Sequence, residues 1–156
     1  MKARLRLLGA CACAIALSAC ASAPPKPEEP RPPGRGTVRV TVTGFPNEKG
    51  QALVALFLSA KGWPNDVASA FGRIALPIRN GEAVAEFEDV PSGPVAVSAF
   101  HDKDADRVLD TDLLGIPSED YGFSRDARST FGPPDFEAAR LDLAAGETKQ
   151  VTIRVK

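Results

Sequence analysis

The sequence predicts an all-β fold, a seven-stranded antiparallel β-sandwich with one long ordered loop. Short runs in which apolar and polar residues alternate have the period of strands with one buried face. Turn residues punctuate those runs at regular intervals. There is no heptad run, internal repeat or glycine-rich phosphate loop. A chain of 156 residues with 44% apolar content is the size of one domain and can bury a core.

The chain opens differently from the rest. Lys2, Arg4 and Arg6 precede an apolar run from Leu7 to Leu17, and Leu17-Ser18-Ala19-Cys20 follows. These are the three regions of a secretory signal. The run is shorter than the roughly 20 apolar residues that span a bilayer. The Leu-Ser-Ala-Cys tetrad resembles the lipobox of bacterial lipoproteins. That resemblance implies cleavage of residues 1–19, diacylglycerol on the Cys20 thiol and a further acyl chain, palmitate in type, on its new amine. Each buried CH₂ contributes about 0.8 kcal/mol to such an anchor. Ala21 is not the aspartate that commonly retains these proteins at an inner membrane, so the outer membrane is the expected location. Residues 20–36 then form a lipidated tether. Its run from Ala23 to Pro33 is proline-rich, cannot pack a core and is expected to be extended.

The domain is expected over residues 37–156. Val38, Val40 and Val42 alternate with polar neighbours in a first strand, closed by Gly44. Asn47-Glu48-Lys49-Gly50 is a turn in which Gly50 is free to take positive φ. Leu53 to Leu58 is apolar on both faces and reads as a central strand. Pro64-Asn65-Asp66 opens a short helix from Val67 to Phe71, ended by Gly72. Ile74, Leu76 and Ile78 alternate again, and Asn80-Gly81 is a hairpin signal before a return strand through Ala83, Ala85 and Phe87. Pro91-Ser92-Gly93 turns the chain into a strand through Val95, Val97 and Ala99. Leu141 and Leu143, a turn at Ala145-Gly146-Glu147, and Val151, Ile153 and Val155 complete seven strands. This count and spacing suit an immunoglobulin-like or transthyretin-like sandwich.

His101 to Glu137 breaks the rhythm. It is far longer than an ordinary connection of about 4 to 6 residues, and loops of that length in a compact domain are usually functional or form a packed cover. It begins with the sharpest chemical feature, carboxylates at Asp102, Asp104, Asp106 and Asp110. A hard cation such as Ca²⁺ takes several oxygens at once, and side chains at loop positions one, three, five and nine, with the Val108 carbonyl at seven, can wrap one. Two positions depart from a calcium loop. Arg107 stands at six, where glycine makes the sharp turn, and Leu113 at twelve, where a bidentate glutamate is usual. Asp112, one place early, is the nearest substitute. The competing reading is a solvated acidic loop neutralised by Lys103, Arg107, Arg125 or Arg128.

The domain also resembles a known group, the bacterial family labelled domain of unknown function 2141. The resemblance runs from Val38 to the C-terminus. Its motifs are Gly50 with Val54-Ala55-Leu56-Phe57, then Phe87-Glu88-Asp89-Val90-Pro91-Ser92-Gly93, then Ala96-Val97, Phe100-His101-Asp102 and Leu109-Asp110. It continues through Leu114-Gly115-Ile116-Pro117, Tyr121-Gly122-Phe123-Ser124, Ala127-Arg128 and Phe131-Gly132-Pro133-Pro134. The family usually has asparagine and glycine where this chain has Asp104, Asp106 and Arg107, and often tyrosine where it has Val95. The resemblance implies a secreted β-sandwich and no established activity.

Composition narrows the function. The formal net charge is −1, and removing the three leader cations takes it to about −4. That argues against a nucleic-acid face, which wants a basic surface. All three cysteines, Cys11, Cys13 and Cys20, lie in the first twenty residues, so the domain has no disulfide framework, thiol nucleophile or cysteine metal site. His101, the only histidine, is expected to anchor the loop rather than act with Asp102, because neighbouring strand residues point to opposite faces. There is no Gly-x-Ser-x-Gly elbow. The expectation is therefore a non-catalytic binding or structural module at the cell envelope. It would be anchored through Cys20, meet an unknown protein or glycan ligand, and carry structural calcium at most as cofactor. The contact candidates are His101, Trp63, Tyr121 and Phe123. A carbohydrate-binding accessory module using Trp63 and Tyr121 is the alternative. A hydrolase, for which Glu119 and Asp120 offer an adjacent carboxylate pair, is the weakest.

Overall fold

A computed structural model describes residues 34–156. The leader, Cys20 and the tether up to residue 33 lie outside the described residues. Eight strands form two sheets, with almost no helix. The strands are β1 (Arg35–Thr43), β2 (Gln51–Phe57), β3 (Gly72–Leu76), β4 (Glu82–Pro91), β5 (Gly93–Asp102), β6 (Tyr121–Phe123), β7 (Leu141–Leu143) and β8 (Thr148–Arg154). One sheet has the order β4-β1-β8. The other has the order β3-β2-β5-β6, with β7 also paired to β5. No helix among the described residues is long and apolar enough to cross a membrane.

Three expectations are corrected. The strands number eight, because Tyr121–Phe123, assigned to the loop, pairs with Ser98–Phe100 of β5. The fold is not purely antiparallel: β1 and β8, the first and last strands, run parallel in register from Thr37↔Thr148 to Thr43↔Arg154. Asn80 and Gly81 do adopt φ of +53° and +76°, as a type I′ turn requires, but only Arg79 and Glu82 pair across it. β3 stops at Leu76, and Pro77 next to it has no N–H to continue a ladder. The chain then crosses to the other sheet, where β4 pairs with β1.

Period-two patterning explains the core. Val38, Val40 and Val42 of β1, Ala85 and Phe87 of β4, and Val151 and Ile153 of β8 face one cluster with Val54 and Leu56 of β2 and Val95 and Val97 of β5. Both sheets therefore share one apolar interior. Burying each such large side chain is worth about 1.5–3 kcal/mol. Ala55 and Phe57, the alternate residues of β2, point to the opposite face. There they pack with Ala96, Phe123, Phe136 and Ala139, with Trp63 and Tyr121 against them. The expected two-sided burial of the central strand is thus real, and the second cover comes from Trp63, between β2 and β3, and from residues beyond β5.

The helix expected from Val67 to Phe71 is one 3₁₀ turn, Val67–Ser69. Asp66 caps it, accepting from the Ala68 N–H at 3.0 Å and the Ser69 hydroxyl at 2.6 Å. The Ser69 hydrogen bond, then the Ala68 one, holds the Asp66 carboxyl below its ordinary value. Helical continuation ends at once because Gly72 enters β3.

Candidate cation site at the end of strand β5

β5 runs on past the core and delivers two buried polar side chains in succession, His101 and Asp102, both fully buried. Register sets their neighbours: Ala52 lies opposite His101, and Gln51 opposite Asp102. The Gln51 side-chain amide donates to Asp102 Oδ2 at 2.7 Å, and the Arg107 backbone N–H donates to the same oxygen at 3.0 Å. Asp102 Oδ1 is buried and has no hydrogen-bond partner among the described residues.

The chain then leaves the sheet and returns. The His101 N–H donates to the Asp120 carbonyl at 2.8 Å, which closes the feet of an excursion over residues 103–119. Asp104 accepts from the Asp106 N–H at 3.2 Å, and Asp106 from the Val108 N–H at 2.7 Å, so each aspartate curls the chain towards the next. Ala105 and Arg107 sit at φ of +64° and +71°. Arg107 thus takes the left-handed conformation normally given to glycine, at a cost of roughly 1–2 kcal/mol. Beyond the loop, Thr111 bridges to Pro117 and makes a finger. Its turn is held by Asp112, whose Oδ1 accepts from the Leu114 and Ile116 N–H groups at 2.8 and 3.0 Å. At the tip Leu113 is fully exposed and Leu114 is 84% exposed.

Glu119 enters from the return segment. It is 5% exposed, and its two oxygens accept from the Lys103 N–H at 2.7 Å and the Asp110 N–H at 3.2 Å. Two groups of carboxylates result, each with oxygens within 4.8 Å of one another: Asp102 with Asp104 and Asp106, and Asp104 with Asp110 and Glu119. Of the predicted ligands, all four aspartates lie in these groups, and Val108 stands between Asp106 and Asp110 in the loop. Asp112 does not join them, because it holds the finger turn. Glu119, nine residues beyond Asp110, joins the carboxylate group without having been among the predicted ligands. The one signal was an acidic residue just before the Tyr121 strand, which the sequence reading had paired with Asp120.

Three of the four cations expected to neutralise the loop are used elsewhere. Lys103 pairs with Asp120 at 3.2 Å, and Arg128 with Asp126 at 3.0 Å. Arg125 donates to the Arg140 carbonyl at 3.4 Å. Among the described residues, no ion pair joins Lys or Arg to Asp102, Asp104, Asp106, Asp110 or Glu119.

The contact candidates are packed. His101 Nε2 donates to the Lys49 carbonyl at 2.7 Å, and Phe45 meets its ring edge-on at 5.3 Å. It ties the Asn47–Gly50 turn to β5. Trp63 meets Phe57, Phe123 and Phe136 at centroid distances of 5.3, 5.6 and 5.9 Å, and its indole N–H donates to the Pro134 carbonyl at 2.8 Å. Tyr121 packs on Phe123 at 5.7 Å. These rings cover the outer face of β2 and β5, with Trp63 and Tyr121 half-buried. Glu119 and Asp120, adjacent in sequence, serve different ends, one inside the acidic loop and the other paired to Lys103.

Fold and site together define a small two-sheet β protein with an aspartate-rich excursion at one strand end. Residues 40–152 match the family described as uncharacterized protein conserved in bacteria (DUF2141), and the chain belongs to that family. No curated protein and no solved structure matches the chain.

Proposed function

We propose that this protein is a lipid-anchored component of the bacterial cell envelope, most simply of the outer membrane. It presents a non-catalytic β-sandwich of immunoglobulin-like or transthyretin-like type as a binding or structural module. Two sheets with a shared interior support the sandwich, and the Leu17-Ser18-Ala19-Cys20 motif supports the anchor. The observation that carries the module reading is the finger. Leu113, Leu114 and Ile116 are exposed together on a segment whose feet are pinned to the sheet. Clustered exposed apolar residues mark contact surfaces. The acidic loop beneath the finger is read as a structural Ca²⁺ site that fixes its position.

In-cell photocrosslinking tests this function. A crosslinking side chain at Leu114 is expected to capture a discrete envelope component, while one at Glu86, on the outer face of β4, captures none. The adduct should sediment with membranes and disappear from that fraction in Cys20→Ala. Equal or absent crosslinking at the two positions would contradict the finger's role, and a Cys20→Ala protein that stays in the membrane fraction would contradict the anchor.

A further inference from the structure

We propose that one Ca²⁺ is held by two chain segments at once. Glu119 from the return segment supplies the ligand that the Asp102–Asp110 loop lacks at its twelfth position. The assignment rests on the cation reading of the acidic loop and names how that site is completed.

The argument starts from Asp102. Burying a carboxylate is costly unless its oxygens are matched. Gln51 and Arg107 satisfy Oδ2, while Oδ1 has no partner among the described residues and no Lys or Arg pairs with the group. Asp102 is one of three carboxylates that each offer an oxygen within 4.8 Å of the others, so the buried group that carries an unmatched oxygen stands at a ready coordination sphere. Oxygens that share one Ca²⁺ at bonds of about 2.4 Å lie no farther apart than about 4.8 Å, and these carboxylates meet that limit. Mg²⁺ demands a near-ideal octahedron at about 2.0–2.1 Å and keeps several of its waters, so a set of several protein carboxylates suits Ca²⁺ better.

Asp104 then decides the architecture. It belongs both to the group with Asp102 and Asp106 and to the group with Asp110 and Glu119. One ion bound at Asp104 therefore draws on both ends of the excursion. Five carboxylates and the Val108 carbonyl come close to the six to eight oxygens that Ca²⁺ takes, and water completes the shell. Glu119 can ligate while keeping its backbone hydrogen bonds, because each carboxylate oxygen has two lone pairs and accepts only one N–H here. The ion closes the base of the finger, so the presentation of Leu113 and Leu114 depends on the cation.

The test uses full-length protein in mild detergent, titrated calorimetrically with Ca²⁺ alone. Tb³⁺ luminescence lifetimes in H₂O and D₂O then count the waters left on the bound ion. Wild type is expected to bind one Ca²⁺ per chain, and Asp104→Asn to lose binding. Glu119→Gln should weaken binding on the order of 10- to 100-fold, as loss of one charged ligand does, and should raise the water count on Tb³⁺. Asp112→Asn should bind as wild type. Should Glu119→Gln fail to fold, Glu119→Asp, which keeps the charge and draws it back by one methylene, carries the same expectation of weaker binding and a higher water count. Absence of Ca²⁺ binding in wild type would overturn the cation reading and this assignment together. Wild-type binding with unchanged affinity and hydration in Glu119→Gln, or in Glu119→Asp where that variant stands in, would overturn the two-segment site alone. Two ions per chain would overturn the shared ion.

Discussion

At Gly50, φ is +72°, and the position a Cβ would take is filled by the Asp102 carbonyl. The residue therefore does two things. It turns the chain into β2, and it lets that turn lie against the strand end that carries the acidic loop. Gly50→Ala must bear the left-handed strain of roughly 1–2 kcal/mol and also push the Asp102 backbone aside. Urea denaturation should show a loss larger than that strain alone, and Ca²⁺ affinity should fall with it. A variant with wild-type stability would show that the close approach is not needed. The turn was legible because glycine after Asn47-Glu48-Lys49 has an obvious conformational use. Its contact with Asp102, 52 positions on, was not, because only strand register brings them together. Glu119 was hidden for the same reason. Its role depends on where the chain returns, and local spacing carries no information about that.

Elements with period-two patterning were legible, and elements defined by a partner were not. β1, β4 and β5 follow their alternating apolar residues, and β2 follows its continuous apolar run. β6 is three residues long, and Tyr121-Gly122-Phe123 has no alternation to read. Its central glycine is fixed by packing, since a Cβ there would come within 2.6 Å of the Arg154 carbonyl. The aromatics of this region showed that the long segment matters, yet most of them bury the second face of the β2–β5 sheet. Trp63 is the centre of that cover, touching Phe57, Phe123 and Phe136. Trp63→Ala should cost about 3–5 kcal/mol in chemical denaturation, as large aromatic truncations in cores do. A loss below about 0.5 kcal/mol, the range of ordinary surface substitutions, would mean that the ring does not hold the cover and would return it to the list of ligand contacts.

At the scale of the molecule, two sheets around one interior form a frame that needs no ion to be packed, and the 103–119 excursion is carried on it. The pairing of the first strand with the last fixes that frame, and it is the least legible feature of the sequence. Hairpin turns predict antiparallel neighbours locally, whereas the parallel β1–β8 ladder joins residues more than 100 positions apart. Frame and excursion therefore have separate sources of order. The first is buried apolar surface; the second, on the cation site proposed above, is a handful of carboxylates brought together by an ion. A ligand that binds only the ordered state at 100 times its dissociation constant stabilises it by about 2.7 kcal/mol. The effect belongs to the excursion, so the measurement must be local. Amide hydrogen exchange by mass spectrometry on the full-length protein, in millimolar Ca²⁺ and again with chelator, reads it directly. Peptides covering residues 103–119 should be protected with Ca²⁺ and lose that protection in chelator, while β1, β2 and β8 exchange alike in both. Identical exchange across 103–119 in the two conditions would contradict an ion-ordered excursion.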